Sequence, residues 1–153
     1  MITAPLVERV RPGALAPDFW ALRPARLCCR ADEYQADGLP ALTVRAPQAV
    51  LWLGLAGEDL VVFGPFGDVA AYGALTEAAR CVAEETGRAR LVASVRNDEI
   101  ERFDSLQRLG FRLVEARIGV LSQAGEDEGE QARMWGDIAA RDELVLARAV
   151  YRH

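Results

Sequence analysis

The order of strand-like and helix-like segments constrains the fold of this chain most strongly. Between residues 41 and 63 lie three short runs rich in Val, Leu and aromatic residues, separated by turn-forming residues. Runs of this length with such boundaries are typical of β-strands. The segment therefore predicts a three-stranded meander, which Gly64-Pro65-Phe66-Gly67 is expected to end. Its strands are Ala41–Arg45, Val50–Leu55 and Leu60–Phe63, with turns at Ala46-Pro47-Gln48 and Gly57-Glu58-Asp59.

Two helix–strand pairs are predicted after the meander. Asp68 is a good N-cap for a long helix that Gly87 would end. Apolar residues along this helix recur at steps of three and four, as on the buried face of a helix. They are Val69, Tyr72, Leu75, Ala79 and Val82. A strand follows at Arg90–Val95, and Asn97 or Asp98 is expected to cap a second helix that Gly110 closes.

The remaining signals are shorter. The second helix is expected to bury one face, made of Ile100, Phe103, Leu106 and Leu109, and strands should follow at Phe111–Val120 and Glu143–Val150. Ser122–Gln131 is polar and is expected to be a solvated loop. A short strand is expected around Ile2–Val10. Pro17 and Asp18 can start a helix with Phe19, Trp20, Leu22 and Leu27 as packing residues, which Pro24 should break or kink.

A meander followed by helix–strand–helix–strand is typical of an α/β fold with a mixed central sheet flanked by helices. The chain has 153 residues, which suits one domain with its own core. We therefore expect a single domain spanning residues 1–153.

The residue types present exclude several kinds of catalysis. All 18 basic residues are Arg, so no lysine can form a Schiff base. The single histidine is His153, which leaves a zinc site or a Ser-His-Asp triad without an imidazole, and no metal site is expected. The three cysteines, Cys28, Cys29 and Cys81, form no CxxC pair, which favours a reducing compartment.

Charge and hydropathy bear on the partners of the protein. The net charge is −5, so no general attraction to nucleic acid is expected. The longest apolar run, Ala49–Gly57, is about half of the ~20 residues that span a bilayer. Charged residues near the start argue against a signal peptide. The sequence thus predicts a cytoplasmic protein that binds neither nucleic acid nor membrane.

Two separated motifs resemble the GNAT family of acyl-CoA N-acyltransferases. The first is Asn97-Asp98 with Gln107-Arg108, Gly110-Phe111-Arg112-Leu113 and Gly119. The second is Ile138-Ala139-Ala140-Arg141-Asp142-Glu143-Leu144-Val145-Leu146. They stand in the order found in one GNAT subgroup, and with the preceding elements the resemblance covers Leu42 to Val150. The resemblance implies the GNAT fold, with Leu60–Phe63 and Leu91–Val95 as parallel neighbours.

The resemblance also implies acetyl-CoA as co-substrate and an N-acetyltransferase acting on a small-molecule or peptide amine. The family holds the CoA pyrophosphate on main-chain N–H groups at the start of the long helix. Carried over by position, the cofactor-binding residues are Val62, Phe63, Gly73, Ala74, Leu75 and Asn97. A homodimer through the final strands is an option. The alternatives are a catalytically silent GNAT-fold domain that binds a small molecule or a protein, and an unrelated α/β binding module.

Several residues depart from the family pattern. Asp68, Val69, Ala70 and Ala71 stand where basic and glycine residues are usual, and the carboxylate of Asp68 would repel a diphosphate. Leu106 stands at the place of the usual tyrosine acid, where it is expected to face the acyl-transfer site, and Glu99 replaces an asparagine. We identify no catalytic residue. For the other candidates structural roles are favoured: core packing for Phe19, Trp20, Trp52, Tyr72 and Cys81, helix packing for Gly73, and turn positions for Glu58 and Asp59.

Overall fold

A computed structural model describes residues 5–23, 38–96, 99–117 and 143–151 of the chain. It contains seven strands and three α-helices in these ranges. The strands are β1 (Glu8–Val10), β2 (Ala41–Arg45), β3 (Gln48–Ala56), β4 (Asp59–Gly67), β5 (Arg90–Arg96), β6 (Arg112–Arg117) and β7 (Glu143–Ala149). The helices are α1 (Pro17–Trp20), α2 (Tyr72–Glu85) and α3 (Ile100–Arg108), with 3-10 turns at Pro12–Ala14 and Val69–Ala71.

The seven strands form one sheet in the order β1-β2-β3-β4-β5-β7-β6. Pairing is antiparallel from β1 to β4 and again between β6 and β7. The neighbours β4 and β5 are parallel, because their first residues lie side by side. The Ala89 N–H donates to the Glu58 carbonyl at 3.1 Å, and the Arg90 guanidinium pairs with the Asp59 carboxylate at 2.9 Å. The predicted α/β fold with a mixed sheet and a parallel neighbour for the third meander strand is therefore confirmed.

The chain divides into two compact units. One contains Met1–Val92 and Ala149–His153, and the other contains Ala93–Arg148. The expectation of a single domain stays a prediction.

In the first unit, the sheet carries a different core on each face. One face holds an aromatic cluster in which Trp52 lies 5.1 Å from Trp20 and 6.0 Å from Phe66 between ring centroids. Phe19 is buried in the same cluster and Phe63 packs against it. The core roles predicted for Phe19, Trp20 and Trp52 are thus confirmed.

Strand alternation sends a second set of side chains to the opposite face of β2, β3 and β4. The helix α2, which contacts these three strands, buries its own apolar residues there. The buried residues include Leu42, Leu53 and Val62 from the strands and Leu75, Ala79 and Val82 from α2. Val69 does not belong to this stripe, since it lies in the 3-10 turn before α2 and is 67% exposed.

The third strand does not end at Phe63 as predicted, because β4 runs to Gly67. The pair Trp52–Phe63 is followed by the pair Val50–Phe66, so β4 has one residue more than β3 between them. This β-bulge accommodates Gly64-Pro65 within the strand, since an extra residue leaves the regular ladder where proline has no N–H to donate.

The other departures are at the ends of elements. The strand expected around Ile2–Val10 is described only at Glu8–Val10, and the helix from Pro17 ends at Trp20, before Pro24, which lies outside the described residues. Positions 118–142, with the predicted polar loop, also lie outside them. Within the described residues, no helix is long and apolar enough to cross a membrane.

Candidate functional site

Five of the six predicted cofactor-binding residues lie on one strand–turn–helix segment. Val62 and Phe63 are in β4, and Gly73, Ala74 and Leu75 form the first turn of α2. The 3-10 turn Val69–Ala71 connects them. The sixth, Asn97, lies outside the described residues. Below, the α2 head denotes residues Gly67–Gly73.

Gly67 fixes where the α2 head begins. Its φ is 113°, and a Cβ at this position would lie 2.4 Å from the Gln48 carbonyl oxygen. The next residue, Asp68, donates its N–H to that same oxygen at 2.9 Å. Only glycine allows this conformation and this approach to β3. The requirement for glycine at position 67 thus comes from the sheet itself.

The side chain of Asp68 accepts a hydrogen bond from one main-chain N–H of the α2 head. Its Oδ1 accepts a hydrogen bond from the Ala70 N–H at 2.9 Å, and the residue is exposed. Asp68 is therefore the N-cap of the 3-10 turn Val69–Ala71, and the prediction that it caps the long helix itself is wrong, because α2 begins after Ala71, which makes no side-chain cap. The Tyr72 hydroxyl donates to the Gly67 carbonyl at 3.1 Å, so Tyr72 ties the turn to the helix and is half-buried. The α2 head thus carries a negative charge and satisfies part of its own donors.

The side chains of Val62 and Leu75 are not available to a ligand. Both are buried, and Phe63 packs against the aromatic cluster. A ligand at these positions would meet mainly the main chain. Gly73, by contrast, is exposed, and a Cβ built on it would meet nothing within 4 Å. The expectation that Gly73 serves close helix packing is therefore wrong.

This geometry fits a diphosphate only in part. Open space beside Gly73 lets a ligand approach the first turn of α2, where the helix dipole favours an anion. The Asp68 carboxylate opposes this, because it repels negative charge and already binds the Ala70 N–H. The first turn of α2 is accessible to an anion, but the negative charge of Asp68 disfavours one there.

The second helix starts differently from the prediction. Glu99 holds the N-cap position of α3, while Asn97 and Asp98 lie outside the described residues. Its carboxylate does not cap the helix; it accepts from the Arg96 N–H at 2.8 Å and pairs with the guanidinium of Arg102 at 3.1 Å. The Arg96 guanidinium lies 3.7 Å from the same Glu99 carboxylate. All three side chains are less than one fifth exposed, so Glu99 neutralises charge in a largely buried place.

Sequence reasoning missed this cluster of Arg96, Glu99 and Arg102. The signal was available, because an acidic residue with arginines three positions before and three positions after it is a pattern that brings the charges together around a helix start.

Leu106 is the one buried residue of α3, with 1% of its surface exposed. Ile100 is 74% exposed, so the predicted apolar face of α3 is wrong for that residue. Leu106 is therefore a core residue, and the expectation that it faces the acyl-transfer site stays a prediction. Gly110, with a φ of 93°, closes the helix as predicted.

The remaining candidates have structural partners. Asp59 pairs with Arg90, and this hydrogen bond raises the pKa of the arginine. Cys81 is half-buried, so the expectation of a buried core residue is wrong for it. Among the described residues, no group of three or more His, Cys, Asp or Glu could hold a metal ion.

Comparison with solved structures identifies the fold. An acetyltransferase from Bacillus subtilis in complex with CoA matches with a TM-score of 0.70 at 16% identity, over 94% of this chain and 97% of that one. A GNAT acetyltransferase from Elizabethkingia anophelis with acetyl-CoA bound matches with a TM-score of 0.71 at 15% identity, over 95% and 98%. The ribosomal-protein-S18-alanine N-acetyltransferase from Escherichia coli matches with a TM-score of 0.64 at 15% identity, over 97% and 95%.

The chain therefore has the GNAT fold across nearly its whole length. This confirms the fold that the two sequence motifs implied. No protein-family model and no curated protein matches the sequence.

Proposed function

We propose that the protein is an acyl-CoA-dependent N-acetyltransferase that acts on an amine of a small molecule or a peptide. The observation that carries this proposal is the fold shared with CoA-bound and acetyl-CoA-bound acetyltransferases over at least 94% of the chain. By the sequence resemblance, β4, the α2 head and Gly73 would be the segments that bind the co-substrate.

In this proposal, main-chain groups hold the co-substrate. Those of Val62 and Phe63 would pair with the pantetheine arm, and those of Gly73, Ala74 and Leu75 would face the pyrophosphate. Asn97 would add a polar side chain. Main-chain contacts suit these positions because the side chains of Val62 and Leu75 are buried.

Acetyl-CoA supplies an activated thioester when bound. The amine nitrogen forms a bond to the acetyl carbon, the C–S bond breaks so that CoA leaves as the thiolate, and the amine proton passes to solvent. Leu106 cannot donate a proton to the departing thiolate. A general acid typically contributes about 10²–10⁴ in rate. We therefore expect slow turnover that rises with pH, because only the neutral amine attacks and Leu106 supplies no acid whose proton would be lost at high pH.

The test is calorimetric titration with acetyl-CoA of the wild type and of Asp68→Asn. Asparagine is an equally good N-cap, so this variant removes the charge and keeps the helix start. Relief of one repulsion near the surface is expected to tighten binding by about twofold to tenfold. Asp104→Asn, an exposed change in α3, is the matched control and should leave binding unchanged.

Activity is measured as release of free CoA thiol with a panel of small amines and of peptides with free N-termini. Acetyl transfer to either class, together with tighter binding by Asp68→Asn, supports the proposal. Binding that Asp68→Asn weakens would mean that the pyrophosphate does not lie at the α2 head.

A catalytically silent GNAT-fold binding domain is the second candidate. The bond from Ala70 to Asp68 and the burial of Leu106 favour it, because both remove features that acyl transfer uses. Failure of the wild type and of Asp68→Asn to bind acetyl-CoA up to millimolar concentration would favour this candidate.

A further inference from the structure

Gln48, the first residue of β3, has a side chain that contacts α1. Side chains along a strand alternate between the two faces of the sheet, and Val50 and Trp52 both belong to the aromatic cluster. Position 48 is therefore on the face that carries this cluster and α1. There the Nε2 of Gln48 donates a hydrogen bond to the Oδ2 of Asp18 at 2.8 Å.

The main-chain carbonyl of Gln48 contacts a different segment, the α2 head. The carbonyl oxygen accepts the Asp68 N–H at 2.9 Å and leaves no room for a Cβ on Gly67. Groups in such close contact transmit a displacement rather than absorb it, so the α2 head follows Gln48. One residue thus joins α1, through its side chain, to the α2 head, through its main chain.

The place of Gln48 at the end of a strand makes the bond to Asp18 important. Gln48 follows the turn Ala46-Pro47 directly, and its pair with Arg45 is the last of the β2–β3 ladder. Ends of elements open more readily than their centres. The bond to Asp18 holds this end of β3 to α1, which is itself anchored in the core by Phe19, 7% exposed.

We propose that Gln48 is a positioning residue for the co-substrate site. Its bond to Asp18 holds the carbonyl that receives the α2 head, and thereby the first turn of α2, in the binding position. The site is that of the proposed function, on which this inference rests. Apparent affinity falls with the fraction of molecules in the binding-competent arrangement, so loss of the bond weakens binding although Gln48 does not contact the ligand.

Hydrogen exchange of main-chain amides, followed by NMR on the full chain without ligand, tests the positioning itself. In Gln48→Ala the Asp68 and Ala70 amides should exchange about twofold to fivefold faster, as expected for loss of one hydrogen bond. The Ala79 amide, in the middle of α2, should keep its wild-type rate. Gln107→Ala, the same change at an exposed residue of α3, is the matched control and should leave all three rates unchanged.

A reversed hydrogen bond shows whether the contact itself matters. Gln48→Glu sets a second carboxylate against Asp18 and should speed exchange at Asp68 more than Gln48→Ala does. Adding Asp18→Asn should restore the wild-type rate, because the new amide at position 18 can donate to the new carboxylate at position 48. Asp18→Asn alone keeps an acceptor for Gln48 and should resemble the wild type. The double variant has the net charge of the wild type, so net charge does not explain its recovery.

Calorimetric titration of the same variants with acetyl-CoA measures the consequence for binding. Gln48→Ala should bind about twofold to fivefold more weakly than the wild type, the double variant should recover most of this loss, and Gln107→Ala should bind like the wild type.

Three results would overturn the proposal: unchanged exchange at Asp68 in Gln48→Ala, no recovery in the double variant, or affinities that do not follow the exchange rates. A wild type that binds no acetyl-CoA would be a failure of the proposed function instead. In that case faster exchange in Gln48→Ala, with recovery in the double variant, would still establish that Gln48 positions the α2 head.

Discussion

The segments β4–α2 and β5–α3 have the same order of strand, turn and helix, yet they are held together differently. The helix α2 has 14 residues and buries five of them against the sheet. The helix α3 has nine residues and buries Leu106 alone. The exposed Asp68 carboxylate, in the turn before α2, accepts a hydrogen bond from the main chain. The Glu99 carboxylate, at the start of α3, lies between two arginines. The comparison suggests that packing stabilises the first segment and that α3 depends more on its charge cluster.

Removal of the central carboxylate should have the largest effect. Glu99→Ala leaves the guanidiniums of Arg96 and Arg102 without their shared partner in a largely buried place. Breaking a buried pair costs about 3–5 kcal/mol, and the other contacts of the two arginines should hold the loss near the lower end of that range. Urea denaturation measures this as a lower midpoint. Glu101→Ala, an exposed change in the first turn of the same helix, should stay within about 0.5 kcal/mol of the wild type. Equal effects of the two variants would show that the cluster does not stabilise α3.

A pair of glycine substitutions tests the α2 head. Gly67→Ala should destabilise the protein by at least about 1–3 kcal/mol, since a strained backbone alone costs that much. The contact with the Gln48 carbonyl oxygen adds to this cost. Gly73→Ala should instead stabilise by about 0.5–1 kcal/mol, because open space surrounds that position and alanine favours helix. Thermal unfolding of both variants gives the two signs. A loss of stability in Gly73→Ala would contradict the described surroundings of this residue.

Leu106→Tyr, which places the tyrosine usual in the GNAT family in α3, should lower the free energy of unfolding less than Glu99→Ala does. Leu106→Tyr must fit a larger side chain into a buried position, and overpacking typically costs about 1–3 kcal/mol. Chemical denaturation measures it, with Ser105→Ala on the same helix as a mild control. Full stability of Leu106→Tyr would show that the side chain can turn into a cavity, as the sequence comparison expected.

The smallest effect should come from the far end of α2, where the Arg9 guanidinium donates to the Glu85 carboxylate at 2.7 Å. This hydrogen bond lowers the pKa of Glu85 from its ordinary value of 4.5. Glu85 therefore contributes stability that is present above about pH 4.5 and is lost as the pH falls through the lower, folded-state pKa.

The free energy of unfolding of Glu85→Gln should be slightly lower than that of the wild type at neutral pH and equal to it in strong acid. Both groups are exposed, so the difference should be small and should shrink at high salt. Denaturation at several pH values measures it. A difference that is independent of pH would mean that the ion pair is not its cause.

Part of the candidate site could be predicted from the sequence. The cap at Asp68 is a local property, because a short acidic side chain before a helical turn finds the nearby N–H whatever the rest of the fold does. The turn at Gly110 is local for the same reason. The role of Gly67 was not predictable, because it depends on the approach of β3, which is 19 residues earlier in the chain at Gln48. The open space around Gly73 likewise depends on what lies opposite the helix.

The sequence by itself determined the order of the elements and the resemblance to the GNAT family. Both rest on short-range information, namely hydrophobic periodicity, caps, glycine positions and motifs contiguous along the chain. The tertiary structure decided which apolar positions are buried: it exposes Val69 and Ile100 and buries Leu106. It also brought Arg96 and Arg102 together on Glu99 and carried β4 on through Gly64-Pro65. These outcomes depend on the elements packed against each residue, and periodicity along one element does not specify which neighbour covers which face.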